Sequence, residues 1–288
     1  MSKSCSSCDS KTCSAKNKKG NESDQEFIDR QELSLRMCSI KHKILVLSGK
    51  GGVGKSTVAA NIAAALSKSG KKVGILDVDI HGPSIPKMLG VENHQVPPGS
   101  EEHLIPPVKV SDNLVAMSIG FLIADKDDAL IWRGPMKIGV IKQFLKDVEW
   151  GELDYLVIDL PPGTGDEPLS LAQMIENPDG AVVVTTPQEV ALADVRKSIN
   201  FCRKLEMPIL GVVENMSGFV CPKCGEVTEI FKRGGAEKMC RDMDVPFAGR
   251  IPLTADIVNA GDSGSITEDD SAVNQLFNHI IDAVCRPE

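Results

Sequence analysis

The stretch Gly49-Lys50-Gly51-Gly52-Val53-Gly54-Lys55-Ser56-Thr57 carries the most specific chemistry in the sequence. Its glycines let the backbone curl tightly enough to aim successive N–H groups at an anion, and a helix starting at its end adds a positive pole. Lys55 is spaced to reach terminal phosphates, and the Ser56 hydroxyl to ligate Mg2+. The apolar run Ile44-Leu45-Val46-Leu47 precedes this turn and Ala59-Ala60-Asn61-Ile62-Ala63-Ala64-Ala65-Leu66 follows it. Strand, glycine turn and helix in that order are the context a phosphate-binding loop requires.

Two acidic stretches have the complementary chemistry. One is Asp77-Val78-Asp79-Ile80-His81-Gly82-Pro83-Ser84, the other Asp159-Leu160-Pro161-Pro162-Gly163-Thr164-Gly165-Asp166, and each follows an apolar run. A carboxylate at a strand's carboxyl end beside a phosphate loop can hold Mg2+ through water, the role assigned to Asp159. Asp79 is assigned to orient the attacking water or a magnesium-bound one, and the Gly163 N–H to sense the terminal phosphate. Asp77 is read as capping its turn, Asp166 as capping a helix that starts near Pro168, and His81 as structural. No cysteine or histidine is spaced as a covalent nucleophile, so transfer to water is the simpler reaction.

The third chemical signal is thiol. Cys221-Pro222-Lys223-Cys224 lets two sulfurs converge on one metal or cluster, and Gly225 suits the tight turn that follows. One pair supplies half of the four ligands that zinc or a [4Fe–4S] cluster takes, and a two-fold dimer would bring two pairs together. A lone redox pair and a rubredoxin-like half knuckle are the competing readings; the redox one is weakened because the pair does not open a helix. Cys5, Cys8 and Cys13 lie in a segment with almost no large apolar residue, and Cys38 stands at its junction with the core. Thiols there have no packing reason, so these four are candidates for a second metal or iron–sulfur site, against the plainer reading of an opportunistic metal-binding or redox-active tail.

The elements that must position these groups read as alternating buried strands and helices from residue 44 onward. Strands are expected at 44–48, 73–77, 114–118, 155–159, 180–185, 209–214 and 246–249, with helices near 55–69, 134–148, 168–175, 188–204, 234–242 and 270–284. Uninterrupted apolar strands such as Ala181-Val182-Val183-Val184 belong inside a mostly parallel sheet with helices on both faces, an α/β fold with nucleotide at the carboxyl ends of its strands. Residues 1–38 read as a flexible tail with a short helix over 27–37, and 39–288 as one domain bearing a thiol loop at 218–226. The proline-rich segment 91–112 reads as a surface excursion. Cys202, Cys240 and Cys285 fall on helices, and packing is the expected role for Cys202 and Cys285.

Composition narrows the function. A net charge of -8 with only one Tyr and two Trp argues against a protein that grips nucleic acid by backbone or by stacking. No run approaches the roughly 20 apolar residues that span a bilayer, and Met1-Ser2-Lys3-Ser4-Cys5 has no apolar signal core. The expectation is a cytoplasmic protein without a nucleic-acid or membrane partner. Nine cysteines are too few to staple a chain of 288 residues, so their close spacing points to metal.

Together these motifs, with Asn215-Met216-Ser217, resemble the Mrp/ApbC family of iron–sulfur cluster carrier ATPases, relatives of MinD and ParA, over residues 39–285. The resemblance implies a P-loop NTPase fold of the MinD/ParA type that binds ATP and Mg2+ and hydrolyses ATP slowly. Lys50 matches the deviant Walker A lysine, which reaches across a homodimer interface to the partner's phosphates. Asn215 matches an adenine contact, and Arg250-Ile251-Pro252-Leu253 falls where relatives flank the base. Cys221 and Cys224 match the pair that holds a bridging, labile [4Fe–4S] cluster. Implied partners are a second copy, recipient apoproteins and a cluster-donating scaffold. The spacing of Cys5, Cys8, Cys13 and Cys38 departs from the four-cysteine motif of cytosolic eukaryotic members. A MinD/ParA-like positioning ATPase and a zinc-stabilised regulatory ATPase are the alternatives.

Overall fold

Apolar runs with no polar alternation have to be covered on both faces, and every residue of β2 (Val73–Asp77) and β6 (Gly180–Thr185) is buried. The computed structural model describes residues 17–18, 20, 22–80, 82–97, 104–123, 134–175, 177–268 and 271–285. Its other central strands are β1 (Ile40–Ser48), β4 (Leu114–Ser118), β5 (Leu153–Asp159) and β7 (Ile209–Val220). The sheet runs β4-β2-β5-β1-β6-β7, all parallel, with β9 (Phe247–Leu253) also parallel to β7. Two antiparallel pieces close the ends: β3 (Val108–Ser111) on β4 and β8 (Val227–Thr228) on the far end of β7.

The alanine-rich α2 (Lys55–Lys68) is buried almost all round, because small side chains let it sit close to the sheet below and to α9 (Ser271–Val284) above. The remaining helices are α1 (Asp24–Cys38), α3 (Ile85–Met88), α4 (Gly134–Asp147), α5 (Asp166–Met174), α6 (Glu189–Lys204), α7 (Gly235–Met243) and α8 (Ala255–Ser263).

The helix expected over 27–37 is present and longer than expected, and three other expectations change. The end of the tail is structured: α1 starts at a Ser23–Glu26 capping box, buries Leu33 and Met37, and ties to α4 through Asp29 on Lys142 (2.7 Å) and Lys146 (3.2 Å). Cys5, Cys8 and Cys13 lie outside the described residues, as does His81. The 91–112 excursion is anchored, since Val91, Val96, Ile105 and Val108 are buried and β3 extends the sheet. Asp166 does not cap α5: the helix begins at Asp166 itself, Gly165 holds the cap position, and Asp166 and Glu167 supply negative charge to the first turn. Strand β7 continues past 214 through a bulge, with Met216 at φ 55 and Gly218 at φ 81.

Candidate functional site

Strand β1 ends at Ser48, and the glycine-rich turn leads directly into α2, whose first residue is Lys55. Gly54 stands at the helix cap position with φ 83, and no side chain caps it, which leaves the first-turn N–H groups facing outward. Glycine is required there twice over, because a Cβ would also overlap the Asn215 amide. A cleft of about 200 Å³ lies over this turn, lined by Ser48, Lys50, Gly51, Gly52, Lys55, Ser56, Asp79 and Pro162. An adjoining cleft of about 290 Å³ shares Gly54, Thr57, Ser84 and Met88 with it and continues to Asn215, Met216, Pro252 and Leu253. A polar, glycine-walled compartment therefore opens into a largely apolar one, the shape and chemistry of a phosphate chain attached to a nucleoside.

Electrostatics converge on Lys55. Its ammonium donates to Asp159 Oδ1 at 2.7 Å, lies 3.6 Å from Asp79 Oδ2, and reaches Ser56 Oγ at 3.3 Å. Asp159 is fully buried, and its second oxygen, Oδ2, has no hydrogen-bond partner among the described residues. Burial raises the Asp159 pKa while Lys55 opposes the rise. Burial, and next the charge of Asp159, push Asp77 up to about 8. Asp77 is the organiser of the following loop: Oδ1 accepts the Asp79 N–H at 3.1 Å, and Oδ2 accepts Ser118 Oγ at 3.0 Å and the Ile85 N–H at 3.4 Å. An orphaned carboxylate oxygen near a helix-start serine fits an octahedral Mg2+ with water between.

The expected residues are brought together with two exceptions. The Gly163 N–H donates to the Ser48 carbonyl at 2.8 Å, so in this state it is committed to β1 and does not face the phosphate cleft; Pro162 lines the cleft instead. Arg250 is not among the cleft residues. It turns to Glu214 (3.6 Å) and Glu237 and stacks over Phe247 (5.1 Å). Asn215 and Pro252 do line the nucleoside side, and the Asn215 Nδ2 donates to the Val53 carbonyl at 2.8 Å.

Sequence reading missed α3 and α8, whose Lys87, Ile257, Val258 and Gly261 wall the nucleoside cleft. A signal for α8 existed, since Thr254 accepts the Ile257 N–H at the start and Gly264 closes the end with φ 73.

The thiol pair stands beyond the end of β7, at the same edge of the sheet as the phosphate loop, because β1 and β7 run parallel. Cys221 is partly exposed and Cys224 exposed. The Cys221 N–H donates to the Glu226 carbonyl and the Gly225 N–H to the Cys221 carbonyl, each at 2.9 Å, which closes the knuckle. The N–H groups of Lys223 and Cys224 and the Cys224 thiol bond to the Cys221 sulfur and lower its pKa, favouring the thiolate that metals require. Cys202 and Cys240 are buried, and burial drives each thiol up to about 12, as inert packing groups should be. Cys38 is exposed at the opposite end of β1, so the fold does not join it to Cys221 and Cys224. No cluster of three or more metal-binding side chains occurs among the described residues.

The family model of ParA, described as NUBPL iron-transfer P-loop NTPase, matches residues 39–285. The chain belongs to this family. The iron–sulfur cluster carrier protein of Methanocaldococcus jannaschii is 54% identical over 261 residues, covering 89% of this chain and 89% of the relative. The cytosolic Fe-S cluster assembly factor CFD1 of Kluyveromyces lactis is 50% identical over 262 residues, covering 86% and 92%. Among solved structures, a nucleotide-binding protein of Archaeoglobus fulgidus in complex with ADP, in which cobalt was found, superposes with TM-score 0.74 at 42% identity over 86% of this chain and 96% of that one. The cell-division ATPase MinD of Pyrococcus furiosus, at 24% identity and TM-score 0.61, shares the mostly parallel P-loop NTPase fold. No helix among the described residues is long and apolar enough to cross a membrane.

Proposed function

We propose that this P-loop NTPase is a slowly hydrolysing ATPase whose homodimer holds one labile [4Fe–4S] cluster between two Cys221–Cys224 turns and passes it to apoproteins in the cytoplasm. One observation carries the reading: a glycine-walled cleft after β1 and a solvent-reached thiol pair after β7, offering two ligands, lie towards the carboxyl ends of parallel strands. Half a ligand set at a surface is completed by a second copy, and an exposed, shared cluster leaves easily. The names of the relatives in Methanocaldococcus jannaschii and Kluyveromyces lactis agree with iron–sulfur cargo.

In this mechanism the first-turn N–H groups and Lys55 hold the β- and γ-phosphates, with Lys50 from the partner copy adding positive charge as it builds up on the γ-phosphoryl group. ATP binding draws Lys55 from Asp159, freeing that carboxylate. Ser56 and, through water, Asp159 would hold Mg2+, which neutralises phosphate charge. Asp79, on the loop that Asp77 organises, orients a water molecule. Its oxygen bonds to the γ-phosphorus as the bond to the ADP oxygen breaks, and its proton leaves with phosphate. Gly163 senses that phosphate only if its bond to Ser48 opens. Asn215 and Pro252 contact the base.

The test is anaerobic reconstitution followed by transfer to an apoprotein with ATP, ADP or no nucleotide. Wild type should load iron and sulfide and transfer them in a nucleotide-dependent way, and Cys221→Ala with Cys224→Ala should do neither. A colourless protein that keeps stoichiometric zinc and accepts no cluster would overturn the reading.

A further inference from the structure

Glu214 is a fully buried carboxylate that the nucleotide chemistry above does not use. It accepts three hydrogen bonds: Ser217 Oγ at 2.6 Å, the Gly234 N–H at 2.8 Å and the Ala236 N–H at 2.6 Å. Ser217 leads into the thiol turn, whereas Gly234 and Ala236 lie where the chain returns and α7 begins. Almost everything between is exposed or half-exposed. A single carboxylate thus gathers both ends of the excursion that carries Cys221 and Cys224, and the positive end of α7 favours its charge. Arg250 supplies the opposing cation at 3.6 Å.

The adjacent residue points the other way. Asn215 is bonded to the phosphate loop at Val53 and lines the nucleoside cleft together with Met216, Pro252 and Leu253. A nucleotide in that cleft touches β7 and β9 at the base of the thiol excursion. Met216, at φ 55, and the bulge after it form the joint between these two attachments.

We propose that Glu214 is a positioning residue for the thiol turn and that, through β7, it makes the turn's affinity for metal depend on nucleotide. A nucleotide seated against Asn215 and Met216 stiffens the base of the excursion, so less freedom is lost when the two sulfurs converge on a metal. By linkage, metal on the turn tightens nucleotide binding by the same factor. This inference rests on the reading of Cys221 and Cys224 as a metal-binding turn.

The test uses Co2+ as probe on the full chain, followed by thiolate-to-cobalt charge-transfer absorbance, with Cys221→Ala defining the turn's share of the signal. Titrations are run with saturating ADP and without it on wild type, Glu214→Gln and Ser217→Ala. ADP should tighten Co2+ at the turn about five-fold or more in wild type. In both variants that ratio should fall below about two-fold, with ADP affinity measured without metal staying within about two-fold of wild type. Ser217→Ala removes one hydroxyl, so it carries the test if Glu214→Gln does not fold. A turn that binds Co2+ equally with and without ADP, a ratio unchanged in the variants, or ADP affinity falling in parallel with metal affinity would each overturn the coupling while leaving the metal site standing. No Cys221-dependent signal at all would overturn the metal reading and this inference with it.

Discussion

The phosphate loop and the thiol turn are both short, glycine-containing turns at the carboxyl ends of parallel strands, yet they are held in opposite ways. The phosphate loop is set between a strand buried from Lys43 to Ser48 and a helix buried on nearly all sides, and its lysine is locked to a buried carboxylate. The thiol turn stands outside the sheet, backed only by the two-residue β8, and is fastened at its base by Glu214. A site that must hold charge in fixed geometry is built into the core, where electrostatic interactions are strong. On the proposed function, the thiol turn must hand over its cargo and is built where solvent and partners reach it. If this contrast is right, changes at the first site cost stability and function together, and changes at the second cost function alone.

The largest expected effect is at Lys55. Lys55→Ala leaves Asp159 buried without its partner, so stability should fall by about 3 kcal/mol. ADP affinity should fall about 100-fold, checked by chemical denaturation and calorimetric titration. Next, Gly54→Ala forces a Cβ into a left-handed position against Asn215 and should cost about 1–3 kcal/mol in the same denaturation experiment.

Asp77 sharpens the comparison through pH. Its pKa of about 8 in the folded protein lies above the roughly 3.9 of an unfolded aspartate. Between those values the folded chain binds the extra proton, so the contribution of Asp77 to stability is largest below about pH 4 and is lost as pH rises through about 8. Asp77→Asn, which carries no such proton, should flatten the decline between pH 5 and pH 8 by roughly 3–4 kcal/mol, measured as unfolding midpoints across that range. A decline as steep as wild type would contradict a buried, neutral Asp77.

At the other extreme, Cys221→Ala and Cys224→Ala should change stability by less than about 0.5 kcal/mol, because the turn is exposed, while abolishing iron loading. A large loss of stability in those variants would erase the distinction between the two sites.

The same contrast governs what could be read from sequence. Strands β2, β4 and β6 and helix α2 are announced by uninterrupted apolar runs, because a buried element has little freedom in composition. The phosphate loop is legible because glycine and lysine at fixed spacing have few other uses. The continuation of β7 past Glu214 was not legible: Asn215-Met216-Ser217-Gly218 reads as a turn, and the chain does bulge there, with the strand carried on only by pairing of Asn215 to β9 before the bulge and of Phe219 and Val220 to β8 and β9 after it. Helix α8 has no fully buried residue, so periodicity is faint and its caps were the remaining signal. Arg250 stands two residues before Pro252, and strand alternation alone would put both on one face; instead Arg250, paired in register with Glu214 on β7, turns to that carboxylate, while Pro252 lines the nucleoside side where the β7–β9 register shifts. Glu214 itself gave no sign, since its partners lie up to 22 residues away in the chain.

The central claim is that two chains share one cluster through the paired turns. Anaerobic native mass spectrometry of the reconstituted, nucleotide-bound protein tests it most directly. The account predicts a species of two chains with one [4Fe–4S] unit that disappears in Cys221→Ala/Cys224→Ala. A single chain carrying the complete cluster, or a cluster-bearing dimer that survives loss of both thiols, would contradict it.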